Sequence, residues 1–232
     1  MNTIHESKSF ISFNPDNYGL QRLRNAAFKT GRENSRLFPW RIHSDPYFVF
    51  VSEFFLQRTQ ASQVVRVFEN FIEKFPNLPS ATSATNGDLN SLLNPLGLYH
   101  RINAFKTALF QLKKNFNSKI PNSENELLSL FGVGKYLART VLCFGFKKRV
   151  GVVDPNVARV IVRYFGLSEI PSRPHTSNKF WEISEKIVSH SKRDPRFLNW
   201  GLIDLGRELC KKNKPRCENC YLTKTCQKVL ED

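Results

Sequence analysis

The sequence predicts an all-α protein, and three observations predict it. Apolar residues recur at helical spacing in one segment after another, while strand-like alternation is nowhere sustained. Helix-start signals, Asp45-Pro46, Asp154-Pro155 and Ser-x-x-Glu at Ser123, stand in front of such segments. A Gly-Val-Gly turn separates two of the shorter ones.

In chain order, residues 1–19 read as a flexible terminus, followed by a basic helical piece around 20–29. Phe38-Pro39-Trp40-Arg41 is a compact lead-in. Asp45 is the expected N-cap and Pro46 the first helical residue of a helix running to about 58. A second helix covers about 61–74 and stops before Pro76. Residues 86–93 read as helix, Pro95-Leu96-Gly97-Leu98 as a break, and 99–116 as helix. The next segment, 123–130, opens with a capping-box pattern at Ser123 and Glu126. After Phe131-Gly132-Val133-Gly134 a helix runs from 135 to about 144. Asp154-Pro155 starts another through 165, and the last two cover about 178–190 and 197–209. No internal repeat or low-complexity tract interrupts the series.

The charge balance narrows the function. The 232 residues carry 35 Lys and Arg against 20 Asp and Glu, a formal net charge of +15. Such an excess favours a polyanionic partner, most simply nucleic acid, over a merely solvated basic surface. No apolar run approaches the roughly 20 residues of a membrane helix, and the first residues lack a signal-peptide core. A cytoplasmic protein is expected.

Four of the five cysteines, Cys210, Cys217, Cys220 and Cys226, form a C-x6-C-x2-C-x5-C pattern. Thiols so crowded suit metal ligation better than a spread disulfide framework. Zinc sites usually show two short Cys pairs, and here there is one, flanked by wider gaps. A [4Fe–4S] cluster is the favoured occupant. Cys143, in an apolar helix, reads as a buried structural thiol.

Two carboxylates stand out. Glu53 interrupts a strongly apolar helix, and Glu53, Gln57 and Gln60 at i, i+4, i+7 would share one helical face. That face is either a solvent stripe or the polar lining of a cleft, where a carboxyl among aromatics has a raised pKa and serves as an acid. Asp154 is an N-cap by pattern. The helix N-terminus is expected to hold it ionised, able to stabilise a developing cation. The Gly132-Val133-Gly134 turn can grip a phosphate through free N–H groups, and Lys147, Lys148 and Arg149 follow close behind for adjacent phosphates.

Taken together, the hairpin, an Asp twenty residues after Gly134 and the terminal Cys loop resemble the helix-hairpin-helix, Gly/Pro-Asp DNA glycosylases. The resemblance spans about 38–226 and lies with the iron–sulfur branch of endonuclease III, MutY-type adenine glycosylase and the archaeal G·T mismatch thymine glycosylase. It implies two helical lobes with a DNA-binding cleft: a six-helix barrel at 43–148, and a lobe of 20–42 plus 149–232 carrying the cluster loop 210–226. Tyr136 stands where bifunctional members place a Schiff-base lysine, which implies a monofunctional enzyme. Lys135 beside it implies a DNA contact. The segment from Ser52 to Gln60 resembles MutY, with Glu53 as its catalytic Glu, whereas Gly132–Tyr136, Val153-Asp154 and Arg159–Gly166 resemble the thymine enzyme. Phe131 replaces the usual Pro, Pro155 a usual Gly or Ala, and Gln57-Arg58-Thr59-Gln60 the thymine enzyme's Arg-Arg-Thr-Thr. The sequence stops soon after Cys226, so the 8-oxoguanine domain of a full MutY is not expected.

The resemblance assigns roles. The base is flipped out of the duplex. Gly132, Gly134 and a bound monovalent cation hold the strand, and Gln57, Leu98 and Tyr99 fill the vacated stack or meet the opposite base. Glu53 protonates the leaving base or positions water, Asp154 stabilises the oxocarbenium-like sugar, and Tyr136 lines the pocket. The cluster holds Lys211, Lys212, Lys214 and Arg216 toward phosphates. The leading expectation is a monomeric, nucleoid-associated mismatch glycosylase on double-stranded DNA, releasing T or U opposite G. The alternatives are adenine release opposite G or 8-oxoguanine, a glycosylase/AP lyase, and a non-catalytic iron–sulfur DNA-binding protein.

Overall fold

The computed structural model describes residues 13–43, 45–97, 99–167 and 173–231; residues 1–12 of the expected flexible terminus, and Leu98, lie outside them. The described chain is helical, with no strand. It separates into two compact units: Arg36–Lys148, and the stretch up to Ser35 joined to everything from Arg149 onward. The lead-in Phe38–Arg41 groups with the first of these.

The contiguous unit contains α2 (Pro39–Ile42), α3 (Pro46–Leu56), α4 (Ala61–Lys74), α5 (Leu78–Thr82), α6 (Asn86–Leu93), α7 (Tyr99–Phe116), α8 (Glu124–Leu128) and α9 (Lys135–Thr140). Helix α3 starts as its sequence demands: the Asp45 carboxylate accepts the Tyr47 N–H at 2.8 Å, and Pro46 fills the first position. It is buried on almost every side. Phe54, Phe55 and Phe71 all pack on Phe105 of α7, at ring separations of 5.3, 5.4 and 5.7 Å. This aromatic knot is the core of the unit.

Helix α3 ends at Leu56, two residues earlier than its periodicity suggests. Gln57 is its C-cap, Arg58 takes a left-handed backbone with φ +56°, and Gln60 is the N-cap of α4. Glu53, Gln57 and Gln60 therefore do not share a helical face. Helices α2 and α5 are short elements the pattern did not single out; α5 is nucleated by reciprocal Asn77–Ser80 capping.

The second unit holds α1 (Asn17–Glu33), α10 (Pro155–Phe165), α11 (Asn178–Ser189), α12 (Pro195–Asp204) and α13 (Gln227–Glu231). Helix α1 already begins at Asn17, inside the stretch expected to be flexible, because Asp16 caps the Gly19 N–H at 2.5 Å. Helices α1 and α12 cross at backbone contact. A Cβ on Gly31 would lie 1.9 Å from the Phe197 carbonyl oxygen, and one on Gly201 1.7 Å from that of Ala27. Only glycine permits such an approach.

Two helices end in a π-helical turn: α9 continues through Val141–Gly145 and α12 through Leu205–Leu209. Each turn seats a glycine against the first turn of another helix. A Cβ on Gly145 would fall 2.7 Å from Pro46 Cα at the start of α3, and one on Gly206 2.7 Å from the Asn156 carbonyl at the start of α10. The turns thus abut the two helices that carry the singled-out carboxylates.

Candidate active site

In the contiguous unit, Glu53 lies on the last full turn of α3 and is only 6% exposed. The solvent-stripe reading fails, since Ser52, Phe54 and Phe55 around it are buried as well. The helix-hairpin-helix turn packs on the same helix. Gly132 has φ +79°, and a Cβ there would lie 3.0 Å from Ala104 Cβ and 3.3 Å from Phe54 Cε1. Glycine is required on both counts. Gly134 meets nothing within 4 Å and leaves its outer side open. Gln57 Nε2 reaches the Gly132 carbonyl at 3.4 Å, so it sits beside the hairpin. Phe131, in place of the usual Pro, keeps its N–H and donates it to Gln111 at 2.6 Å, while its ring is 59% exposed. Lys135 and Tyr136 open α9 half-buried, and Tyr99 stands fully out at the start of α7. Leu98 lies outside the described residues.

In the second unit, Asp154 caps α10 as its sequence predicts, accepting the Val157 N–H at 2.7 Å. Asn156 Nδ2 donates to its other oxygen at 2.9 Å. Burial pushes the carboxyl above its ordinary value, against the hydrogen bonds from Val157 and Asn156 and the charge of Arg159. The helix-end effect alone predicts the opposite direction; desolvation outweighs it here.

The hydrogen bonds continue beyond Asn156. Arg159 Nη2 donates to Asn156 Oδ1 at 2.7 Å and to the Gly206 carbonyl at 2.7 Å, and its Nε to the Cys210 carbonyl at 2.6 Å. Arg163, one turn on, donates to the Lys211 carbonyl at 2.6 Å and to Cys210 Sγ at 3.5 Å. A polar chain of three side chains, Asp154, Asn156 and Arg159, thus ends on the backbone of the first loop cysteine. Sequence reading took Arg159 and Arg163 only as part of a resemblance. Their spacing, one and two turns beyond the capping Asp on its own helix, is the signal that marks them.

Cys210, Cys217, Cys220 and Cys226 line one small cavity, together with Val160, Leu205, Leu209 and Leu222. All four are free thiols. Burial, then neighbouring Cys210, raises the thiols of Cys220 and Cys226. Among the described residues no three His, Cys, Asp or Glu converge on a single ion position. Lys212, Lys214 and Arg216 are exposed and Lys211 half-exposed. Cys143 is completely buried. The basic run after α9 is partly committed: Lys148 donates to the Asn122 carbonyl, and Arg149 to those of Ser191, Lys192 and Arg193. Those two cations brace loops rather than standing ready for phosphates. Among the described residues no helix is long and apolar enough to cross a membrane.

Comparison with known proteins places this geometry. The chain is 34% identical to a thymine-DNA glycosylase of Aeropyrum pernix over 81% of its own length and 85% of the relative's. It is 31% identical to a thymine/uracil-DNA glycosylase of Pyrobaculum aerophilum, over 90% and 91%. An adenine DNA glycosylase of Buchnera aphidicola shares 34% identity over 84% of this chain but 54% of its own. Among solved structures, a thermostable thymine-DNA glycosylase superimposes with a TM-score of 0.85 at 28% identity, covering 93% of this chain and 99% of that one. An endonuclease III–DNA complex, at 21% identity, shares the fold with a TM-score of 0.73. Residues 51–186, from the middle of α3 to near the end of α11, match the HhH-GPD superfamily of base excision DNA repair proteins, and the chain belongs to that family of DNA glycosylases.

Proposed function

We propose that this chain is a monofunctional mismatch glycosylase that hydrolyses the N-glycosidic bond of T or U opposite G in double-stranded DNA. The observation that carries the base identity is the two-sided match to thymine and thymine/uracil glycosylases, along 85% and 91% of those relatives. Tyr136 at the head of α9 supports the monofunctional reading, because a phenol forms no Schiff base.

In this reading Glu53 hands a proton to the leaving base, a role suited to a carboxyl enclosed by aromatic side chains. Asp154, ionised, stabilises the positive charge that grows on the sugar. Gly132 and Gly134 offer backbone to the DNA strand and to a monovalent cation, with Lys135 at their flank. Gln57 and Tyr99 meet the duplex where the base has left, and Tyr136 lines the base pocket. The protein acts as a monomer on nucleoid DNA.

Cys210, Cys217, Cys220 and Cys226 would hold a [4Fe–4S] cluster. Four thiols that line one cavity suit a cluster held by Cys thiolates. When bound, the cluster supplies a cross-link for the loop, whose exposed Lys212, Lys214 and Arg216 then meet phosphates.

Single-turnover excision on G·T, G·U, G·A and 8-oxoguanine·A duplexes tests the proposal, with strands analysed before and after alkali. Release of T and U, with breaks only after alkali, is the expected result. Release of adenine alone would favour the MutY-type reading, for which the Buchnera relative and the Ser52–Gln60 segment speak. Breaks before alkali, with borohydride trapping, would overturn the monofunctional one.

A further inference from the structure

Arg101, on the first turn of α7, is a buried cation with poor company. It is 8% exposed. Its Nη2 donates to Thr59 Oγ1 at 3.0 Å, its Nη1 reaches the Phe55 carbonyl only at 3.5 Å, and its Nε has no partner. Both acceptors are neutral. Burial, and then the nearby charge of Arg58, push its guanidinium below the ordinary arginine value. Around it lies a small apolar recess of Phe54, Phe55, Leu93, Leu96, Gly97 and Ile102. A Leu or Met would suit that setting better, since an uncompensated buried charge is costly. A residue that breaks the local rule for stability is expected to serve function.

What it holds is the loop between α3 and α4. Thr59 is the one side chain of that loop that Arg101 grips, and Phe55 lies just before it. The grip brackets Gln57, which reaches the hairpin carbonyl of Gly132, and Arg58, which is exposed with its backbone left-handed. Gly132 in turn rests on Phe54 of α3 and Ala104 of α7. Loop, hairpin and α7 thus form a closed triangle with Arg101 at one corner. Repulsion between the two guanidiniums favours Arg58 pointing outward.

We infer that Arg101 is a positioning residue that locks the Gln57–Gln60 loop through Thr59, so that Gln57 and Arg58 are held at a fixed height beside the hairpin when a base is turned out of the duplex. The inference rests on the glycosylase reading above and deepens it: Arg101 touches no reacting atom, and its effect is on the distortion of the duplex.

The test uses the full-length protein and a G·T duplex carrying 2-aminopurine beside the mismatch, whose fluorescence rises on unstacking whichever base is later cut. Arg101→Met is expected to melt no lower than the wild type, while both the fluorescence rise and single-turnover excision fall about tenfold or more. Thr59→Val, which removes the acceptor and leaves the core alone, is expected to reproduce the loss, and Thr59→Ser to restore it. If Arg101→Met fails to fold, the Thr59 pair decides. A fluorescence rise unchanged in Thr59→Val, or Thr59→Ser as defective as Thr59→Val, would overturn the inference. Failure of the functional reading looks different: the wild type itself would release neither T nor U, while its fluorescence response still reports on the loop.

Discussion

The two carboxylates sit in opposite kinds of place. Glu53 is embedded in the body of α3, buried beside Phe54 and Phe55. Asp154 sits at the mouth of α10, where Val157 and Asn156 donate to its two oxygens. Each helix is met at its start by the glycine of a π-helical turn, Gly145 for α3 and Gly206 for α10. The scaffolding is alike, and the local polarity differs. Capping N–H groups draw a carboxylate toward its charged form, and at Asp154 burial outweighs them. In the proposed reaction the two take different tasks: Glu53 gives a proton, and Asp154 holds a negative charge against a forming cation.

The largest expected effect breaks the first half of that contrast. Glu53→Gln keeps the shape and loses the proton, and single-turnover excision is expected to fall about 10³-fold, with DNA affinity unchanged in a gel-shift or anisotropy titration. Asp154→Ser comes next. Serine caps a helix about as well as aspartate but carries no charge, so the rate is expected to fall about 10²-fold while the helix remains. An active Asp154→Ser would mean that the cap, not the charge, is what matters.

The same variant sharpens the comparison through pH. Because burial raises Asp154, the folded chain binds that proton more readily than the unfolded one. Its contribution to stability is full below the ordinary carboxylate range and is lost as the pH climbs through the folded value. Asp154→Ser is therefore expected to melt higher than the wild type near neutral pH, by up to about 3 °C. The gap should close as the pH is lowered into the carboxylate range. A constant gap across pH would mean that the charge is not its source.

The smallest effect concerns the support behind Asp154. Arg159→Met cuts the link from Asn156 to the Cys210 carbonyl and is expected to slow excision about tenfold. The iron content after purification should drop with it, read by absorbance and metal analysis. Full activity with full iron would reduce Arg159 to a packing residue.

Much of this was legible because helix signals are local. Helices α6, α7 and α10 fall where the pattern puts them, and the caps at Asp45, Ser123 and Asp154 act within three residues of themselves. The end of α3 was not legible. Its polar residues continue at helical spacing through Gln60, yet a grip from Arg101, more than forty residues away, accompanies the break at Arg58. The π-helical turns were equally hidden, since they depend on glycines meeting distant backbone. Arg159 and Arg163 enter the sequence reading only through a resemblance. Only the fold shows the carbonyls that receive them. The Cys pattern announced a shared destination, and the four thiols do line one cavity.

The glycine crossing of α1 and α12 also bears on how the chain is made. Gly31 and Gly201 seat their helices backbone to backbone, yet most of the sequence separates them. Helix α1 is made before α12, so this crossing can form only once α12 has followed. The Arg36–Lys148 unit, by contrast, is contiguous in the chain. The crossing is thus a late event of synthesis: the earlier helix waits for the later one, and the contiguous unit lies between the two in the chain.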